Sequence, residues 1–353
     1  MPGPPRARAG SHAYGVAMYQ RTSSGHYFEI LLFTFSSLLL YHTGVGFVLF
    51  LVPLQIVATR RGIRSLALAA GVFFAVFLLI RFWPAVFSKD HALPDILGAI
   101  EIGVAGVLLL GMIVVNFPLR RRPRTLVMLL AATALAGAAA LPAAVWLSGS
   151  PAFQQSMNLL FADISKTLSG VFAPAAESGA GAYFAPMLQP ARLRQMAEAY
   201  LLRSLLADYA IMLAFSWWAG QAAASRARTL MGAAPGFQLS RFRLESGWLW
   251  PLIVSGALVL ADLFLGISVW AYAAWNIGLV LLFLFGLQGM AIVLFIFEKY
   301  RIPRLLWFLL VVGLVILAAS PGAGLFVVLA IPVLGISENW IRYRIPRETA
   351  PRE

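Results

Sequence analysis

"LLLYHTGVGFVLFLVP", residues 38–53, lies in the middle of the first long apolar block, which runs from Phe28 to Ala58. As one helix these 31 residues would extend roughly 46 Å at about 1.5 Å per residue, against a hydrocarbon core about 30 Å thick. Two glycines beside His42 and Thr43, followed by Pro53, are turn and kink signals rather than helix-interior residues. The reading is therefore a hairpin of two short segments, Phe28–Tyr41 and Gly44–Ala58, that turns at "YHTGVG". That choice decides which side of a membrane every later residue faces.

Working outward, the rest of the chain is equally apolar. It is 61% hydrophobic and 12% charged, with a mean hydropathy of +0.83, whereas soluble domains carry about 25% charge. Further spans read as 63–87, 95–116, 125–147, 196–222, 247–266 and 271–297. The last apolar block, Leu305 to Trp340, is broken at "SPGAG" (Ser320–Gly324) into a second short hairpin. The apolar runs do not alternate with polar residues, which argues against a β-barrel. The expected fold is an all-α polytopic membrane bundle of eight to ten segments, two pairs of them short hairpins.

Charge supports the hairpin reading. With both hairpins turned, 21 of the 27 basic residues fall on one side, and Lys/Arg excess marks the cytoplasmic side. Both termini then lie in the cytoplasm. Reading Phe28–Ala58 as one span would place "RRGIR" (Arg60–Arg64) opposite the N-terminal arginines. The net charge of +13 sits in short clusters between apolar runs, a topology signal and not a nucleic-acid surface. The absence of cysteine rules out disulfides and thiolate chemistry.

The organisation follows. Residues 1–27, Pro-, Gly- and Arg-rich, are expected to be a disordered cytoplasmic segment, and 28–147 carry the first five membrane helices. Residues 148–195 form one external loop, in which Phe153, Met157, Leu160, Phe161, Ile164, Leu168 and Val171 recur on one face of an amphipathic helix. "APAAESGAGAYFAP" (173–186) reads as a link, residues 196–340 as the second set of helices, and 341–353 as a basic cytoplasmic tail.

Ionisable residues inside membrane spans are costly and suggest function. Arg81 and Glu101 each lie ten residues from His91, the middle of their connection, so they reach comparable depth and can pair. Asp262 and Asn276 are each seven residues from Val269, and Arg203 and Asp208 enter the next-door span from the outer side. Together these six are the candidate ligand-binding residues of an outward polar cavity; structural ion pairs are the competing reading. Gln288, in "GLQGM", reads as a hydrogen-bonding link across a close helix contact at Gly286 and Gly289. No GxxxxGK[ST] loop, GxSxG elbow or metal-ligand spacing occurs, so no catalytic, metal or cofactor residue is assigned.

Three segments of the last third carry a resemblance. "FRLESGWLWPLI" (242–253), "WNIGLVLLFLFGLQGMAIVLF" (275–295) and "GISENWIRYR" (335–344) resemble the YybS-like family of bacterial multi-pass membrane proteins, a domain of unknown function. Asn276, Gln288, Gly289, Gly335, Trp340 and Arg344 match its pattern. Glu338 replaces its Asp, Tyr343 its Phe, and Glu245 or Ser246 stands where Pro is usual. The family is similar in build to the substrate-binding subunits of energy-coupling-factor transporters and to the rod-shape protein MreD. The resemblance implies a protein of a bacterial cytoplasmic membrane: a small-solute-binding subunit served by a separate ATPase, or a scaffold that recruits cytoplasmic or cell-envelope partners through Arg-rich loops. An intramembrane enzyme acting on lipid ranks third. Glu338 is placed to pair with Arg342 one turn on, with Trp340 and Tyr343 at the interface.

Overall fold

The computed structural model describes residues 23–87, 96–117, 125–176, 186–230, 239–266, 270–320 and 323–344. The expectations for residues 1–22, for His91, for Val269 and for most of the 173–186 link lie outside them. Eleven α-helices and no strand occur among the described residues. They are α1 (Ser23–His42), α2 (Leu51–Arg61), α3 (Ile63–Phe87), α4 (Ile96–Val115), α5 (Thr125–Ser148), α6 (Pro151–Ala176), α7 (Pro190–Leu230), α8 (Leu249–Leu265), α9 (Ala271–Lys299), α10 (Arg304–Ala319) and α11 (Ala323–Ser337).

The chain turns at "YHTGVG". Gly44 takes a φ of 68°, open to glycine, and ends α1. The Thr43 hydroxyl donates to the Leu40 carbonyl (2.8 Å) and accepts from the Gly46 amide (3.2 Å). A Cβ on Gly46 would lie 2.6 Å from the Leu40 oxygen, so this second glycine is needed for close approach. One 3₁₀ turn, Val45–Leu49, leads into α2. The hairpin is closed at both ends: the Ser37 hydroxyl donates to the Phe50 carbonyl near the turn, and Glu29 receives Arg60 (3.2 Å) and Arg61 at the open end. Gly62, at φ 86°, turns the chain again into α3.

Among the described residues six helices are long and apolar enough to cross a membrane: 63–83, 96–115, 126–144, 190–223, 246–265 and 271–299. Tyr27–His42 and Gly324–Ser337 are apolar but shorter. The break between α10 and α11 falls in "SPGAG", as the spacing predicts.

Helix α7 is the spine. Its Tyr209 and Leu213 join a core built from α1–α5, in which Phe50, Leu51, Leu54, Phe73 and Phe77 are fully buried. Its Ala207 and Ala210 face a second core made with Leu244 and with Val280, Leu281, Leu284 and Phe285 of α9. Tyr209 occupies the space a side chain at Gly111 would need and donates to the Val107 carbonyl (3.2 Å), fixing α7 against α4. Helix α6 buries Met157 and Phe161 and leaves Val171 exposed. It is tied to α7 by Arg194, which donates to Gln154, Asn158 (2.6 Å) and Glu198 (2.7 Å).

Polar side chains gather in two layers. Arg64 and Arg81 on α3, and Arg203 and Gly220 on α7, are separated by seventeen residues in each case, about 26 Å of helix. That is close to the thickness of the hydrocarbon core. Exposed Trp83, Trp146 and Trp270 lie near helix ends on the Arg81 and Arg203 side, and exposed Tyr200 lies one turn before Arg203 on α7, the position of an interfacial aromatic belt.

Candidate functional site

The outer candidates resolve into separate contacts. Helices α3 and α4 bring Arg81 against Glu101, to which it donates, with the guanidinium 5.8 Å from the Phe77 ring centre. The Tyr41 ring packs edge-on against the same Phe77, 4.9 Å between ring centres, linking the pair to the aromatic core of α1–α3. Arg203 of α7 lies 3.5 Å from the Asp262 carboxylate of α8 and 5.4 Å from the Trp275 ring centre of α9. The Trp275 indole N–H points at the same Asp262 oxygen at 3.4 Å.

Asn276 does not join Asp262. Successive residues on a helix are 100° apart, so with Trp275 turned toward α8, Asn276 faces α7. Its oxygen accepts from the Leu206 amide (2.8 Å), and its nitrogen donates to the carbonyls of Leu202 (2.7 Å) and Tyr272 (2.8 Å). Leu202 O and Leu206 N are the two ends of one helical hydrogen-bond position, so the carboxamide clamps α9 onto the backbone of α7. Asp208 sits five residues after Arg203 on α7, half-buried, and accepts from the Ser204 hydroxyl (2.8 Å).

A second, more tightly built group gathers five of the residues that carry the family resemblance. The Gln288 oxygen accepts from the Leu244 amide (2.9 Å), and its nitrogen donates to the Gly335 carbonyl (3.0 Å) and to Glu338 (2.9 Å). Arg344 donates from Nε to Glu338 (2.6 Å) and from Nη2 to its other oxygen. Its Nη1 donates to the carbonyls of Ser240 (2.9 Å) and Phe242 (2.8 Å). Gly289 and Gly335 face each other where α9 and α11 cross: a Cβ on either would collide with the opposing backbone carbonyl. Gln288 and Glu338 are almost wholly buried, while Trp340 is exposed.

The predicted pairing of Glu338 with Arg342 is corrected. Helix α11 ends at Ser337, so the one-turn spacing that would align the two does not continue. The chain folds back, Arg344 takes the carboxylate, and Arg342 is exposed.

A third contact has no counterpart in the sequence reading. Gln55 of α2 and Asn116 at the end of α4 exchange amide hydrogen bonds of 2.9 and 2.8 Å. Gln55 is fully buried against Gly220 of α7, where a Cβ would collide with its side chain. A lone Gln in the apolar run "FLVPLQIV" is the trace it leaves in the sequence.

Apolar helices of spanning length, polar side chains bonded across them and an interfacial aromatic belt define a polytopic helical membrane protein. The family model described as "Predicted membrane protein (DUF2232)" matches residues 30–336, and the chain belongs to that family. No curated protein and no solved structure matches it.

Proposed function

We propose that this chain is a transporter-like, small-solute-binding subunit of the bacterial cytoplasmic membrane, with no ATPase of its own. The arginine-rich side faces the cytoplasm. The observation that carries this reading is Asp208. Glu101, Asp262 and Glu338 each have an arginine partner, but among the described residues Asp208 has only the Ser204 hydroxyl. A carboxylate within a span and without a cation is costly, and a solute bearing a donor or a positive charge would compensate it. Arg203, Asp262 and Asn276 lie on the helices around it, and the Arg81–Glu101 pair stands apart on α3 and α4. Native mass spectrometry of protein purified in mild detergent tests this. A co-purified solute should bind at least about tenfold more weakly to Asp208→Asn, the loss of one charge-assisted contact. Equal retention of solute by Asp208→Asn and wild type would sink the assignment.

A scaffold is the second reading, favoured by Arg64, Arg241, Arg243 and Arg342, all exposed. On that reading Arg241→Ser with Arg243→Ser loses co-purifying proteins, whereas Asp208→Asn does not.

The orientation has its own test, since the chain has no cysteine. Val45→Cys should react with an impermeant thiol reagent on intact cells, and Arg122→Cys only after permeabilisation. The reverse pattern would invert the topology.

A further inference from the structure

We propose that Arg203 is an oxyanion-receiving site, with Trp275 and Asp262 as the groups that hold it open. Two arginines of similar burden make the contrast. Arg344 is saturated: Nε and both terminal nitrogens donate to Glu338, Ser240 and Phe242, and its side chain is 12% exposed. Among the described residues Arg203 has one ion-pair partner, Asp262, at 3.5 Å. That is longer than the roughly 2.7–2.9 Å of a charge-assisted hydrogen bond. Its Nε is buried and has no hydrogen-bond partner among the described residues.

The placement sets which charge an incoming ligand meets. The Asp262 side chain is 9% exposed and the Arg203 side chain 40%. The carboxylate is tucked behind the guanidinium and further occupied by the Trp275 indole N–H. The Trp275 ring supports the guanidinium from one face. With Nε buried, what remains open is the exposed terminal end of the guanidinium, whose N–H donors suit carboxylate or phosphate oxygens. Arg81 also has an unpartnered Nε, but its terminal nitrogen is held directly by Glu101, which leaves it less free to turn toward a ligand.

Depth identifies where the oxyanion comes from. Arg203 belongs to the polar layer at the aromatic-rich ends of the helices, with Tyr200, Trp270 and Tyr272 exposed around it in the sequence of α7 and α9. Aromatic belts sit at the level of lipid headgroups. The shared chemistry is an anionic oxygen group, supplied either by a phospholipid headgroup or by a free carboxylate or phosphate from the outer aqueous side. The second source would join this site to the solute-binding reading; the first is independent of it.

Wild-type protein in phosphate-free maltoside detergent is treated with phenylglyoxal, and modification of Arg203 is followed by peptide mass spectrometry. Exposed Arg64, in the opposite polar layer, is the reference. In one arm inorganic phosphate or succinate is added; in the other the protein is placed in phosphatidylglycerol nanodiscs. Arg203 is expected to react in detergent and to be protected at least about fivefold more than Arg64 in one arm. Protection by phosphate or succinate identifies a free anion, and protection in nanodiscs alone identifies the lipid headgroup. Protection no greater than that of Arg64 in both arms overturns the site, whatever happens to solute binding at Asp208.

Discussion

Gly289→Ala and Gly335→Ala are each expected to cost about 3 kcal/mol, the upper end for forcing extra volume into a packed interior. Each glycine's Cβ would enter the van der Waals shell of a backbone carbonyl on the other helix, Ile331 for Gly289 and Phe285 for Gly335. A side chain can rotate away; a helix backbone cannot, so α9 and α11 must separate. Separation breaks more than packing, because Gln288 bridges to the Gly335 carbonyl and to Glu338 across the same crossing. A native stability of 5–15 kcal/mol leaves little room for that loss. Gly256→Ala and Gly103→Ala are the controls. Both positions are helical with open space where the Cβ would go, and alanine there should be neutral or better by up to about 1 kcal/mol. Thermal unfolding followed by fluorescence-detected size exclusion reads all four. A midpoint for Gly289→Ala equal to that of Gly256→Ala would mean that the helices do not cross where the structure places them.

How much of this was legible depends on which quantity each feature requires. Depth can be counted along a chain: once the hairpin at "YHTGVG" orients the spans, Arg81 and Glu101 come out level, and the structure pairs them. Helical phase is harder. Counting places Asp262 and Asn276 at one depth, but a rotation of 100° gives Asp262 to Trp275 and sends Asn276 to α7. Contacts between distant segments leave almost no trace. Gln55 and Asn116 are 61 residues apart, each the lone polar residue of an apolar stretch, and nothing local says that they meet. Backbone acceptors leave none at all: the Ser240 and Phe242 carbonyls that receive Arg344 carry no residue signature. The helix end at Ser337 decided the remaining case, because a one-turn rule for Glu338 and Arg342 holds only while the helix continues.

Arg344→Ala should cost at least as much as either glycine change, about 3–5 kcal/mol. It leaves Glu338, 4% exposed, as a buried charge whose remaining donor is Gln288, and it strips the Ser240 and Phe242 carbonyls of their donor. Arg344→Lys should recover only part of this. One ammonium cannot reproduce the planar fork that meets both carboxylate oxygens and two carbonyls. The informative variant is the double change Glu338→Gln with Arg344→Gln. If the dominant cost is an uncompensated buried charge, removing both charges should be milder than Arg344→Ala alone, with a coupling of about 0.5–3 kcal/mol in the mutant cycle. Salt separates this network from surface pairing. Glu338 and Arg344 are shielded from solvent, whereas Arg60, paired with Glu29, is 39% exposed. Raising ionic strength should therefore reduce the effect of Arg60→Ala and leave that of Arg344→Ala nearly unchanged. Strictly additive single and double mutants would show that Arg344 acts through packing of its stem, and that the carboxylate is stabilised by Gln288 alone.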